Sequence, residues 1–523
     1  MASLGVVLPK GAGPVLQNIA ALLARQVQRR SGAKVELGGA AALRVELAIE
    51  PGIGREGFKI SDGPDAILRI AGNDPRGVLY GVGKFLHTSR YSEGGFTPGA
   101  WRGASVPQKA VRGIYLATHM GNFYDAAPVA EVRQYVQELG LWGFNSLMVW
   151  YDMRIFAGFH DPKAIAFRER LGQILQAARD LGMGTAIVVI ANEGDRLTPP
   201  AIRAKPGAER GDNSDTYLCV NAAGGLDYLR KVMSAEFAWV RAFEPEYLAL
   251  WGHDPGGCGC ARCAPGGVWG SNGYLQCAQA VALLGKQELP GAKIILSTWL
   301  FDPKEWEGLH AKFRDKPDWC DLLMSDGIRA GGLPSVDFPE ISMSGNYPWG
   351  GFGSNAMPAT LRARWDRYKR QVEGGWPYSE GIFEDLNKIC FSQWYWGDRP
   401  AADVIREYAA FEFSPAVADD VVKVVQILER NTTSINASTR EAFALVRQID
   451  AKLPVQARQT WRWRILYLRA QINQEMLERN PGKGLDSRGA RLDSKVLQQA
   501  FRELTKIYHA ENALEYMKPP VIQ

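Results

Sequence analysis

The sequence predicts an α/β chain in three parts: a small α/β domain over residues 1–105, a central (β/α)8 TIM barrel over 111–398, and an α-helical domain over 399–523. Three observations predict it. At 523 residues the chain is too long for one ordinary domain. Between Val111 and Arg399, eight short apolar runs alternate with helical stretches, the rhythm of a closed parallel barrel. Beyond Arg399 only helical periodicity is left.

In the first part, "GPVLQNIAALLARQVQRRSG" reads as an amphipathic helix stopped by Gly32. "ALRVELAIE" and "DAILRIAG" read as strands, and "DPRGVLYGVGKFLHTSR" as a helix with Asp74 as N-cap and Pro75 in its first turn. "TPGAWRGASVPQKA" reads as the linker into the barrel.

The expected barrel strands are "VRGIYLATHM", "NSLMVWYDM", "GTAIVVIANEG", "EYLALWGHD", "AKIILSTWLFD", "CDLLMSDG", "EISMSGNYPWGG" and "WPYSEGIFED". Strands covered on both faces read as continuous apolar runs, and these do. The last helix before the eighth strand is expected over "PATLRARWDRYKRQVEGG". The third part reads as helices only, from "PAADVIREYAAFEF" to "LDSKVLQQAFRELTKIYHAENAL", without a repeat register.

Composition excludes several classes. Apolar content of 46% and charged content of 22% are those of a globular protein. The net charge of +5 is spread along the chain, so no nucleic-acid partner is expected. No apolar run is long enough for a membrane span. The start lacks a secretion-signal pattern, which leaves a cytoplasmic protein and a mature exported one as open alternatives. Homo-oligomerisation is also left open. Seven cysteines, three of them clustered, do not form a disulfide framework.

In a parallel barrel the C-terminal strand ends converge on one mouth. Here they would gather Asp152, Glu193, Asp254, Asp326, Glu380, Glu384 and Asp385, with His119 and His253. Sixteen tryptophans accompany them, several at the ends of apolar runs. Two carboxyl groups flanking a sugar ring, one a proton donor and the other a nucleophile or base, are what glycoside hydrolysis needs. Indole and phenol faces supply stacking surfaces for sugars. The expected substrate contacts are therefore His119, Trp150, Tyr151, Glu193, His253, Trp299, Asn346, Trp349 and Tyr378, with Arg112 at the barrel floor and Arg329 as a candidate for a uronate carboxylate.

The segment "DGPDAILRIAGNDPRGVLYGVGKFL", leading directly into "VRGIYLATH", resembles the layout of family 20, 67 and 84 glycoside hydrolases, in which a small α/β domain precedes a (β/α)8 barrel. "YSEGIFEDLNKICFSQWYWGDRPAADVIREYAAFEF" is similar to the eighth strand and following helices of α-glucuronidase-like glycosidases. The resemblance covers about residues 60 to 415 and implies an exo-acting glycosidase with a carbohydrate substrate and no cofactor in its chemistry. It places Asp254 where these families carry their general acid. The opposite carboxylate would be Glu380, in "YSEG", or Asp326. Family 20 enzymes have an adjacent Asp-Glu pair after the fourth strand; here the chain reads His253-Asp254-Pro255, so substrate-assisted cleavage of an N-acetyl sugar is not implied. A non-catalytic sugar-binding barrel and a metal-dependent hydrolase are the alternatives; six histidines that do not cluster at strand ends argue against the second.

In "WGHDPGGCGCARC", Cys258, Cys260 and Cys263 form a C-x-C-x-x-C run. Three thiolates at this spacing suit a structural Zn²⁺, with Cys219, Cys277 or His253 as fourth ligand; three reduced thiols in a Gly-rich loop is the other reading.

Overall fold

The structure is a computed structural model and describes residues 3–38, 41–64, 67–119, 121–206, 216–252, 257–342, 356–431, 438–479 and 494–510. In the N-terminal part a six-stranded sheet runs in the order Lys34–Leu37, Ser3–Val7, Leu43–Ile49, Ile67–Gly72, Phe58–Asp62, Gly103–Ser105. The first three junctions are parallel and the last two antiparallel. Helices Pro14–Ser31 and Pro75–Thr88 complete the unit, and the second starts as its sequence dictates: the Asp74 side chain accepts from the Gly77 backbone N–H. The last strand falls inside the stretch read as a linker.

The eight barrel strands are Val111–Leu116, Ser146–Trp150, Gly184–Ile190, Tyr247–Trp251, Lys293–Ser297, Leu322–Met324, Ser335–Asp337 and an eighth in two pieces, Val372–Gly375 and Tyr378–Ser379. All pair in parallel, and the first strand pairs with both the second and the eighth, closing the barrel. Trp376, at the break in the eighth strand, fills the interior: its indole N–H donates to Ser146 Oγ, and its ring lies so close to Gly113 that a Cβ there would sit 2.1 Å from it.

Two expectations are corrected. The seventh strand is Ser335–Asp337 rather than "EISMSGNYPWGG", most of which lies outside the described residues. Ser335 and Asp337 are polar but wholly buried, so the strand does not show as an apolar run. The helix before the eighth strand is Pro358–Tyr368, shorter than expected, because "VEGG" joins the sheet.

After the barrel come helices Asp385–Gly397, Ala401–Glu412, Ala418–Arg430, Ser438–Lys452, Trp461–Arg479 and Lys495–Tyr508. Asp385 ties this region to the barrel's outer surface. Its carboxylate accepts from the Tyr135 hydroxyl (2.7 Å), the Tyr408 hydroxyl (2.7 Å) and Arg462 Nε (2.9 Å). It is an anchor and not a member of the mouth ring. Among the described residues, no helix is long and apolar enough to cross a membrane.

Candidate active site

The eighth strand ends in Tyr378-Ser379-Glu380. A local hydrogen-bonded turn sets the direction of Glu380. Glu384 Oε1 accepts from Ser379 Oγ (2.7 Å), from the backbone N–H of Glu380 (2.8 Å) and Gly381 (2.9 Å), and from Ser342 Oγ (3.1 Å). Glu384 is thereby a fixture of the turn, not a free carboxylate. From the other side, the Tyr508 hydroxyl of the last described helix donates to the Glu380 carbonyl oxygen.

The Glu380 side chain accepts from the Tyr378 hydroxyl at Oε1, while Oε2 is buried with no hydrogen-bond partner among the described residues. No cation pairs with it among those residues. Burial pushes its carboxyl up to about 9; the neighbouring Glu340 and Glu384 add to the rise, and the Tyr378 hydrogen bond only partly offsets it. A neutral carboxylic acid with one oxygen held and the other free is a proton donor waiting for an acceptor.

Across the mouth, the second and third strands build a tighter cluster. Arg154 grips Asp152 at both oxygens (2.8 Å each), donates to the Tyr217 hydroxyl (2.6 Å) and lies 4.7 Å over the Trp150 ring. Glu193 accepts from Trp150 Nε1 (3.2 Å) and from the backbone N–H of Met153 (3.1 Å). Burial, with Asp152 nearby, raises Glu193 well above the usual carboxylate range. Burial also pushes the Tyr115 phenol up, and Asp152, Glu380, Arg154 and Glu193 all act on it electrostatically. Tyr115 is thus within electrostatic reach of both acidic groups.

Aromatic rings from six strand ends join these clusters. Trp299 meets Trp251 (6.0 Å between centroids), which meets Phe338 (4.6 Å). Phe338 in turn meets Tyr115 (5.4 Å) and Tyr378 (5.6 Å), and these two stack on each other (5.5 Å). His119 packs edge-on to Trp150 (4.5 Å), and burial lowers its imidazole to about 4, so it is neutral at pH 7. Phe338 touches rings from strands on opposite sides of the barrel and so closes the floor of the mouth. Trp251, Trp299 and Tyr378 keep part of their surface open.

Some expected contacts are elsewhere. Arg112 is wholly buried near the opposite end of its strand, where it pairs with Glu56 (2.5 Å) and donates to the carbonyls of Gly143 and Lys109 (2.9 Å each). It is buried among these partners, away from the mouth. Tyr151 points outward into a ring cluster with Phe156, Phe159, Phe167 and Trp239, its hydroxyl bonded by Arg168. Successive residues of a strand face opposite sides, so Trp150 and Tyr151 do not share a face. Trp150 faces the mouth but Arg154 and His119 cover it. Asp326 sits at the end of the sixth strand, half exposed, paired with Arg364 (3.4 Å). Arg329 donates to the Gln371 carbonyl (3.1 Å). His253, Asp254, Asn346 and Trp349 lie outside the described residues.

Sequence reasoning missed Arg154, Tyr217, Tyr115 and Phe338. Tyr115 was legible: it stands in the first strand two residues from Gly113, whose missing side chain faces the barrel interior, so it shares that face. Tyr217, far from any strand end in sequence, is held at the mouth by a backbone bridge to Glu193 and by the neighbouring Leu218 N–H, which donates to the Asn192 carbonyl.

The structure brings Cys219, Cys258, Cys260 and Cys263 together, with all four sulfurs within 4.8 Å of one another. Cys277 is buried but stands outside this group. The four thiols perturb one another: the Cys263 thiol's hydrogen bond holds Cys258 down to about 5, while burial pushes Cys219 up to about 11.

No family model and no curated protein matches the sequence. Solved structures match the fold. A family 115 4-O-methyl-α-glucuronidase with specificity for decorated arabinogalactans superposes with a TM-score of 0.61 at 12% identity, over 100% of this chain and 78% of its own. A family 89 enzyme from Clostridium perfringens, solved with GlcNAc-α-1,4-galactose, gives 0.62 at 12% identity over 89% of this chain; the match spans 61% of that longer protein. A family 20 β-N-acetylhexosaminidase from Streptomyces coelicolor gives 0.52 at 12% identity over 80% of this chain and 92% of its own. The chain has the TIM-barrel fold that these glycoside hydrolases use, as the resemblance implied.

Proposed function

We propose that the chain is an exo-acting glycoside hydrolase that removes a terminal sugar, with Glu380 as proton donor and Asp254 as the opposite carboxylate. The observation that carries this reading is the Glu380 carboxyl: buried at the barrel mouth, raised to about 9, and with Oε2 unpartnered among the described residues. The roles are exchanged relative to those the resemblance implied, because protonation at neutral pH is what a general acid requires.

In the reaction, the Glu380 proton passes to the glycosidic oxygen as its bond to the anomeric carbon breaks. Asp254, as carboxylate, attacks that carbon or takes a proton from the attacking water. Tyr378 holds Glu380 by one oxygen, and the turn built on Glu384 fixes its backbone. Trp299, Trp251 and Tyr378 offer faces on which a sugar ring stacks, and the floor closed by Phe338 suits a chain end better than the middle of a polymer. Structural neighbours that act on terminal sugars, such as an exo-β-N-acetylglucosaminidase from Vibrio harveyi, support the exo reading by analogy of fold.

The test is a panel of aryl glycosides, including α-glucuronide, 4-O-methyl-α-glucuronide, α- and β-N-acetylglucosaminide, β-N-acetylgalactosaminide and neutral sugars, with Glu380→Gln and Asp254→Asn beside the parent chain. Turnover of one glycoside that Asp254→Asn abolishes and Glu380→Gln weakens, most on the poorest leaving group, supports the proposal and names the sugar. Sugar binding that survives in both variants, without turnover in any of the three proteins, replaces it with a binding barrel.

A further inference from the structure

We infer that Cys219, Cys258, Cys260 and Cys263 form a closed, structural Zn²⁺ site that clamps the loop after the third barrel strand to the loop after the fourth. The inference does not depend on the glycosidase reading.

The sulfur positions carry it. Cys219 Sγ is 3.7 Å from Cys260 Sγ and 3.8 Å from Cys263 Sγ. A tetrahedral ion with metal–sulfur bonds of about 2.3 Å places its sulfurs about 3.8 Å apart. A disulfide needs about 2.05 Å, and all four cysteines are free. Random packing of thiols does not produce a compact four-sulfur group from two loops separated by 38 residues of chain.

The surroundings match a thiolate site as well. The Lys205 backbone N–H donates to Cys258 Sγ (3.2 Å) and the Asn221 amide to Cys263 Sγ (3.2 Å). Donors aimed at sulfur stabilise metal-bound thiolates and fix their orientation. The backbone is drawn tightly around the group: Gly259 N–H donates to the Lys205 carbonyl (2.8 Å), Cys263 N–H to the Cys260 carbonyl (3.0 Å), and Gly273 N–H to the Cys263 carbonyl (2.8 Å). Cys219, Cys258 and Cys263 are buried. Four sulfur ligands leave no open position, so the ion holds structure and does no chemistry.

The clamp acts on the mouth. Cys219 stands two residues from Tyr217, whose backbone bridges to Glu193 and whose hydroxyl receives Arg154. Fixing Cys219 therefore fixes the corner that presents Glu193, Asp152 and Arg154.

The experiment is elemental analysis of the full chain purified under reducing conditions without added metal. One Zn²⁺ per chain is expected, released when the thiols are blocked by an organomercurial. Cobalt(II) in its place should give the intense sulfur-to-metal charge-transfer absorption of a tetrahedral thiolate site. Cys219→Ser and Cys263→Ser should lower the retained zinc by roughly tenfold or more, and Cys277→Ala should leave it at one. Removing the ion should open new cleavage sites near residues 216–222 and 257–264 in limited proteolysis. Zinc near zero with all four thiols open to alkylation in the native chain overturns the inference, as does iron in its place, or full retention in the Cys219→Ser Cys263→Ser double variant. The metal content and cobalt spectrum of the unaltered chain decide the matter even if the variants fail to fold.

Discussion

At the N-terminal end of the barrel strands, the buried Glu56 carboxylate lies between Arg112 and Arg76, with Asn145 donating a further hydrogen bond (3.0 Å). Burial alone would raise its carboxyl, but the two guanidinium groups outweigh burial and hold it below the usual range. The Arg112 guanidinium itself lies against both the Tyr80 and Trp396 rings (5.1 Å to each centroid). At the C-terminal end, Glu380 is buried to a similar degree, yet its one described side-chain partner is a phenol, and its carboxyl rises to about 9. The same residue type, a buried glutamate, is thus an ion in one place and a neutral acid in the other. Pairing with cations makes the floor a structural joint between the N-terminal sheet and the barrel; withholding a cation leaves a neutral acid at the mouth, the state the proposed proton donor requires.

Variants at the two ends should separate these roles. The largest effect is expected at the mouth. Glu380→Gln keeps the shape and removes the proton, and kcat/KM on a glycoside with a poor leaving group should fall about 10²- to 10⁴-fold, with a smaller loss on an activated aryl glycoside that needs little protonation. Equal losses on both substrates would assign Glu380 the opposite role. At the floor, Arg112→Ala leaves Glu56 buried with half its compensation, and the unfolding free energy should drop by roughly 3–5 kcal/mol in denaturant titrations. Turnover per folded molecule should stay near the parent value; a large loss there would bring Arg112 back into the site. A milder effect is expected from Trp299→Ala, which removes a stacking face: KM should rise about tenfold with kcat little changed.

The smallest effect is on stability. Because its carboxyl is raised from 4.5 to about 9 by the fold, the stabilising contribution of Glu380 is complete below pH 4.5 and is lost as pH rises toward 9. Glutamine stays neutral throughout. Glu380→Gln should match the parent near pH 4 and melt roughly 1–3 °C higher near pH 8, a gain in stability at the expense of activity.

The sequence showed the barrel well because eight buried strands mostly spell apolar runs, and a sheet covered on both faces leaves little room for ambiguity. It failed at Ser335–Asp337, where buried polar side chains hide a strand, and at "VEGG", where a helical period runs on past the true helix end. Glu380 was legible as a residue beyond an apolar strand, and the four cysteines as a spacing. Arg112 was misread although its position, second in a six-residue strand, already sets it toward the floor and away from the mouth. The Arg154–Tyr217 corner was beyond the sequence, since it depends on where a long excursion after the third strand returns. Nor could spacing show that Glu384 and Asp385, two more acids in the same run, are consumed by a turn and by Arg462.

The pH dependence of kcat/KM on whichever glycoside the panel identifies tests the central claim most directly. The account predicts an alkaline limb falling through about 9 in the parent chain and absent from the residual activity of Glu380→Gln. An alkaline limb that survives unchanged in Glu380→Gln would contradict it.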